Sequence, residues 1–277
     1  MSLITFIGCG NMGLGMLTAL TKNEAIKGED IVVSEPDKDR LNQVVSDFGV
    51  QGIADNKEAV KASKYILLAV KPQVLPLVMD TIAPTLKECT EKGEEKILVS
   101  IAAGTPIERI RELSGLSSEK LPIVRIFPNL PAAIGEGLLF FSTADETSEK
   151  YTDELMEMFK HAGLLEKMPE SGLEIAGVIG GCVPAYAYMF VEAMADGAVS
   201  CGMPRAQAIR FAAQAVKGAC GLVLTSGKHP EQLKDEVCSP AGTTICGVKA
   251  LEENGFRNAA IQSIVKPFEK SQQLSKK

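Results

Sequence analysis

An α/β fold with a mostly parallel, doubly wound sheet, followed by an all-helical domain, is what this 277-residue sequence predicts. Three observations lead there. A glycine-rich turn, Gly8-Cys9-Gly10-Asn11-Met12-Gly13, joins an apolar run, Leu3 to Ile7, to an apolar-periodic segment, Met12 to Leu20. Short apolar runs then alternate with amphipathic segments as far as Lys167. Beyond Pro169 no convincing strand remains. Alternation of strands and helices builds a parallel sheet with crossover helices. The predicted domains are 1–168 and 169–277.

The first turn sets the register for the rest. Its glycines are spaced G-x-G-x-x-G between a strand and a helix, with Glu35 lying 22 residues past Gly13. Gly8 lets the chain turn sharply, Gly10 lets the backbone approach a pyrophosphate, and Gly13 lets helix pack close to strand. Unpaired amides and the positive end of the helix dipole then hold phosphate. This is the pattern of a Rossmann-type dinucleotide site. The plain alternative is a glycine turn in a buried βα unit.

The following elements come in order. Asp30 to Ser34 reads as a strand ending at Glu35, and Pro36 opens a helix that Gly49 closes. Val50 to Ile53 is a weak strand, Asn56 to Ala62 a short helix, and Tyr65 to Val70 a strongly apolar strand stopping at Lys71-Pro72. A helix runs on to Leu86, and the charged stretch Lys87 to Lys96 reads as a solvated loop. Ile97 to Ala102, Ile123 to Phe127, Gly137 to Phe141 and Leu164 to Lys167 are further strands. Helices at Pro106 to Leu113 and Ser148 to His161 separate them, and Pro128-Asn129-Leu130-Pro131 makes a rigid loop. In the second domain Leu173 to Cys201 is a long helical stretch, with Gly180-Gly181 and Pro184 expected to interrupt it. Helices at Pro204 to Leu224, Pro230 to Val237, a segment ending at Asn254, and Phe256 to Leu274 complete the chain. They are too rich in apolar residues for a lone small bundle, which implies burial against a second subunit.

Composition limits the partners. The chain is 45% hydrophobic with a net charge of −6, and Lys and Arg form no basic patch, so nucleic acid and anionic membranes are not expected. No secretory leader and no apolar run of membrane-spanning length are read. The seven cysteines include no C-x-x-C pair and read as reduced, buried thiols of a cytoplasmic protein. The two histidines, His161 and His229, form no ligand pattern, so no metal site is expected.

Ligands of open α/β sheets lie beyond the carboxyl ends of the strands. The candidates are therefore Gly8 to Met12, Ser34-Glu35, Ala69-Val70-Lys71-Pro72, Ala102 to Gly104 and Pro128 to Pro131. Glu35 can accept hydrogen bonds from ribose hydroxyls, or be a solvated glutamate before a helix. Lys71 can meet a phosphate or lie on the surface. Asn129 can offer its amide to a nicotinamide or sit in an ordinary turn. Farther on, Ser239-Pro240-Ala241-Gly242-Thr243-Thr244 is a small, hydroxyl-bearing loop before a helix, an arrangement that grips a carboxylate or merely caps the helix.

Beyond these readings, the chain resembles the pyrroline-5-carboxylate reductases from Phe6 to about Lys270. The resemblance is carried by Phe6 to Gly13, Ala69 to Pro72, Ser100 to Gly104 and Pro128-Asn129. In the helical part it is carried by Pro184-Ala185-Tyr186, Glu192 to Gly197, Gly202-Met203-Pro204-Arg205 and, most specifically, His229 to Thr244. Three positions depart from the family's usual pattern: Gly181-Cys182-Val183, where Gly-Ser-Gly or Gly-Ser-Ser is common, Leu130 in place of Thr, and Glu35 in place of a neutral or phosphate-binding residue.

The resemblance implies NADH- or NADPH-dependent reduction of 1-pyrroline-5-carboxylate to L-proline by a homo-oligomer, a dimer or a ring of dimers. It implies a cofactor site on Gly8, Cys9, Gly10, Asn11, Met12, Ser34, Glu35, Asn56, Ala69, Val70, Lys71, Pro72, Ala102 and Ala103, to which the residue reading adds Gly13 and Asn129. It implies a substrate site on Ser239, Ala241, Gly242, Thr243 and Thr244. No histidine or cysteine stands out as proton donor, which leaves Thr244, or water near it, as the candidate. Glu35 tips the expected cofactor toward NADH. Two other readings stand beside this one. A related imine or hydroxyacid reductase would be expected to place a lysine in the helical domain, and Leu173 to Cys201 contains none. A non-catalytic cofactor-binding protein would bind the dinucleotide without turnover.

Overall fold

The computed structural model describes residues 2–22, 26–145 and 148–275. It divides into two compact units, one running to Gly181 and taking in the chain from Ser271 onward, the other spanning Cys182–Lys270.

The first unit is built on one eight-stranded sheet. Its strands are β1 (Ser2–Ile7), β2 (Ile31–Ser34), β3 (Gln51–Gly52), β4 (Ser63–Leu68), β5 (Ile97–Ser100), β6 (Ile123–Phe127), β7 (Gly137–Thr143) and β8 (Gly163–Lys167). The order is β3-β2-β1-β4-β5-β6-β7-β8. All neighbours are parallel except β6 and β7. The chain winds outward in opposite directions from β1 and β4, so the crevice between their carboxyl ends is the switch point.

Helices cover both faces, which is why the central strands are buried on both sides and mostly apolar. On one face α1 (Asn11–Lys22), α2 (Lys38–Phe48) and α6 (Glu149–Met158) bring Met16, Leu17, Leu41, Val44 and Leu155 against Ile4, Phe6 and Val33. On the other, α3 (Asn56–Ala62), α4 (Leu75–Glu91) and α5 (Ile107–Ser114) bring Val60, Met79, Ile82 and Ile110 against Ile7, Ile66 and Leu98. The alternation of Phe6 and Ile7 between the two cores is the strand's two-residue period made visible.

The charged stretch 87–96 is not a solvated loop. α4 continues through it to Glu91, and Lys96 is fully buried. The Lys96 ammonium donates to the carbonyls of Val60, Lys61 and Ser63 at 2.9–3.1 Å and lies 3.3 Å from Glu94. It closes the carboxyl end of α3, where helical carbonyls run out of partners and a cation is favoured.

The long helix α7 (Leu173–Ser200) begins on the first unit and is continuous through Gly180-Gly181 and Pro184, where interruption was expected. The segment Glu170–Ser200 is also long and apolar enough to cross a membrane by length and composition, contrary to the sequence expectation. It carries Glu170, Glu174, Glu192 and Asp196, and its apolar surface has another explanation in the second unit.

That unit contains the rest of α7, α8 (Arg205–Ser226), α9 (Pro230–Val237), α10 (Thr243–Glu253) and most of α11 (Phe256–Ser275), which is likewise continuous through Pro267. Among the described residues of Cys182–Lys270, only Ala195 and Ala208 are buried apolar side chains. Tyr188, Met189, Leu222, Leu224 and Ile261 are each more than half exposed. A helical unit with no core of its own needs a second chain to cover it. The cysteine expectation is corrected in the same way: all seven are free, but only Cys9 and Cys89 are buried, and Cys201, Cys220 and Cys246 are exposed.

Candidate active site

The glycine-rich turn leaves β1 at its carboxyl end. Gly8 has φ +89°, and a Cβ there would lie 2.8 Å from Val70 Cγ1 and 3.0 Å from the Ala69 carbonyl oxygen. A Cβ at Gly13 would lie 3.1 Å from both the Ala69 Cβ and the Gly8 carbonyl oxygen. These two glycines let β1, α1 and the end of β4 close up. Gly10 differs. A Cβ there would meet nothing within 4 Å, so its neighbourhood is open toward the helix start. That is the space a pyrophosphate needs beside first-turn amides.

A cavity of about 550 Å³ opens at this point. Gly10, Asn11, Met12, Ala69, Val70, Lys71, Pro72, Ala102 and Ala103 line it, nine of the predicted cofactor residues. A second cavity of about 560 Å³ adjoins it, sharing Gly10, Asn11 and Arg40 and adding Cys9. Pro128, from the predicted candidate stretch Pro128 to Pro131, also lines the first cavity, together with Arg40, Ile101, Phe127 and Gly181, which were not among the predicted site residues. Ile101 and Phe127 lie at or just beyond strand ends, which was a usable signal; Arg40 and Gly181 are brought to the cavity by the fold.

Glu35 is buried at the end of β2. Its Oε2 accepts from the Cys9 N–H at 2.8 Å, and its Oε1 accepts from the Asp37 N–H at 3.3 Å. Burial first, and the Glu35 charge second, push the Cys9 thiol up to about 11, with Arg40 opposing. Cys9 is therefore a neutral thiol at neutral pH and is unsuited to nucleophilic or acid–base work. Ser34 donates from its hydroxyl to Asn56 Oδ1 at 2.7 Å, joining the ends of β2 and α3.

Asn129 is buried, and both ends of its amide have protein partners. Nδ2 donates to the Gly180 carbonyl at 3.0 Å, and Oδ1 accepts from the Leu138 N–H at 2.8 Å. Its neighbour Pro128, rather than Asn129, lines the cavity.

In the second unit the Ser239–Thr244 loop is exposed except for half-buried Gly242. Gly242 donates its N–H to the Ser239 carbonyl at 3.0 Å and is the N-cap of α10. A Cβ on Gly242 would lie 2.3 Å from Ser239 Oγ and 3.1 Å from the Ser239 carbonyl oxygen, so the turn is tight at this point. Ala241 before it holds φ 57°, which disfavours any side chain. The first bond back into α10 is Cys246 N–H to the Gly242 carbonyl, at 3.4 Å. The amides of Thr243 to Ile245 precede that bond and have no partner within the helix, so they and the two threonine hydroxyls are groups that could serve an anion. α9 ahead of this loop is tied to α11 by Glu231, whose carboxyl is held down to about 2 by hydrogen bonds from Lys234 and Arg257.

Comparison with known proteins fits both halves. Residues 170–274 match the family model described as pyrroline-5-carboxylate reductase dimerisation, and residues 3–104 match one described as NADP oxidoreductase, coenzyme F420-dependent. The pyrroline-5-carboxylate reductase of Escherichia coli K12 is 38% identical over 273 residues, 99% of this chain and 98% of that protein. The pyrroline carboxylate reductase of Plasmodium falciparum, solved with NADP bound, matches with a TM-score of 0.84 at 28% identity, covering 99% of this chain and 98% of that one. The Coxiella burnetii pyrroline-5-carboxylate reductase matches at 0.87 and 27% identity, covering 100% and 99%.

Proposed function

The chain belongs to the pyrroline-5-carboxylate reductase family, and on that premise we propose how its own residues carry out the reduction of 1-pyrroline-5-carboxylate to L-proline. The enzyme is a nicotinamide-dependent oxidoreductase and a homo-oligomer acting on a small molecule. We keep the functional division at 168/169, with dinucleotide binding before it and dimerisation and substrate binding after it.

The dinucleotide is assigned to the cavity at the switch point. The observation that carries this is the open space at Gly10, where even a methyl group would touch nothing within 4 Å. Amides of Asn11 and Met12 at the start of α1 would face the pyrophosphate. Ala69 to Pro72 and Ala102-Ala103 would form the walls, and Ser34, Glu35 and Asn56 would stand at the adenosine end. Gly8 and Gly13 shape the turn. When bound, the reduced nicotinamide supplies a hydride to the imine carbon. Ile101 and Phe127 would keep water from that end, and Thr243 and Thr244 would hold the substrate carboxylate through amides and hydroxyls. Thr244, or water beside it, is the proposed proton source at the ring nitrogen. Orientation of the two reactants is the larger contribution.

NADH is the proposed preferred cofactor. Support comes from the Glu35 carboxylate, fixed by two backbone amides, which can accept from a ribose 2′-hydroxyl and would repel a 2′-phosphate. The exposed Arg40 guanidinium at the cavity is the opposing charge. A cytoplasmic location is proposed from the exposed free thiols at Cys201, Cys220 and Cys246. The test is the rate of NADH and of NADPH oxidation with pyrroline-5-carboxylate. Turnover with neither would overturn the reading.

A further inference from the structure

α7 carries a proline in its interior, and Pro184 has no amide to give the carbonyl four residues earlier. That carbonyl belongs to Gly180. It is nevertheless hydrogen-bonded, because Asn129 Nδ2 donates to it at 3.0 Å. Asn129 is only 8% exposed, and its other end is fixed by the Leu138 N–H at 2.8 Å. A buried side-chain amide therefore replaces the backbone donor that proline removed. The bond lies wholly within the first unit; Pro184 enters only through the covalent geometry of one continuous helix.

The residues beside the bonded pair are Pro128 and Gly181, and both line the cavity assigned to the dinucleotide. α7 also approaches the end of β6 as closely as glycine permits. A Cβ at Gly177 would come within 2.6 Å of the Phe127 ring. A helix packed this tightly beside a proline has two ways to satisfy a bare carbonyl: admit water, or bend. Either would move the wall formed by Pro128 and Gly181.

We infer that Asn129 is a positioning residue for the reduction, fixing that wall by supplying the hydrogen bond that Pro184 denies to Gly180. This rests on the assignment of the cavity to the dinucleotide. It also gives the proline and the asparagine a joint physical meaning: each is tolerable because of the other.

The test is a double-mutant cycle in the full-length protein. Asn129→Ala should lower kcat/KM about tenfold in the parent. Pro184→Ala restores an amide to position 184, so the same substitution in that background should cost less than about threefold, with a parallel reduction in its effect on Tm. A loss differing by at least threefold between backgrounds supports the inference, and a smaller difference overturns it. Should Pro184→Ala not fold, Asn129→Asp decides. Its protonated carboxyl can donate to Gly180, whereas its carboxylate cannot. Activity relative to the parent that rises as pH falls from about 8.5 to about 5.5 supports the inference; a ratio that stays flat, whether full or low, overturns it. The cavity assignment is tested separately by cofactor affinity in Gly10→Val. The Tm coupling needs no cofactor, so the two can fail independently.

Discussion

The Glu35 carboxylate accepts the Cys9 N–H at 2.8 Å, so the acidic end of β2 is bonded directly to the glycine-rich turn after β1. A fixed negative charge thus sits next to the helix start that would receive the pyrophosphate. Glu35→Ser is expected to move the ratio of efficiencies toward NADPH by roughly tenfold, about 1.4 kcal/mol. Steady-state kinetics with both cofactors read this directly. An unmoved ratio would mean that the carboxylate serves only the turn.

Gly8 and Gly10 should separate folding from binding. Gly8→Ala places a methyl group against Val70 and the Ala69 carbonyl at positive φ, and is expected to destabilise the protein by about 1–3 kcal/mol. Gly10→Val should leave Tm near the parent's and weaken cofactor affinity at least about tenfold. Calorimetric melting and cofactor titration check the pair. Equal effects of both on stability would count against the open space at Gly10.

Thr244→Val should reduce kcat/KM by about 1.5–3 kcal/mol, the range for a hydrogen bond to a charged group. The protein should fold normally, since Thr244 is exposed. An efficiency within about twofold of the parent would remove Thr244 from the substrate site.

Lys96→Met should leave the carbonyls of Val60, Lys61 and Ser63 without their donor while preserving most of the side chain's volume. The expected cost is about 1–3 kcal/mol in denaturant unfolding, with activity of the folded protein retained. No measurable loss would show that water replaces the ammonium.

Dimerisation should be inseparable from folding. With only Ala195 and Ala208 buried among the apolar residues described in Cys182–Lys270, the unit has no core of its own. Sedimentation at micromolar protein should show no active monomer, and an active one would contradict this account.

The sequence by itself determined the strand–turn–helix at Gly8 to Gly13, the alternation that makes the sheet, and the hydroxyl-bearing loop before α10. Each is a local steric or periodic requirement, met by neighbours in the chain. The helical half's need for a partner was also legible, because apolar content without polar cover is a property of composition. Tertiary structure alone decided the rest. Lys96 read as part of a solvated loop, but the end of α3 supplied three carbonyls from residues more than thirty positions away in the chain. Pro184 and Gly180-Gly181 read as breaks in α7, yet the helix continues, and Asn129 bonds the carbonyl that Pro184 leaves open. Arg40 reaches the cavity because α2 packs beside the glycine-rich turn. For Lys96 and for the Gly180 carbonyl, a polar group found its partner far along the chain. Local propensity cannot encode such a pairing; only the packed fold brings the two groups within hydrogen-bonding distance.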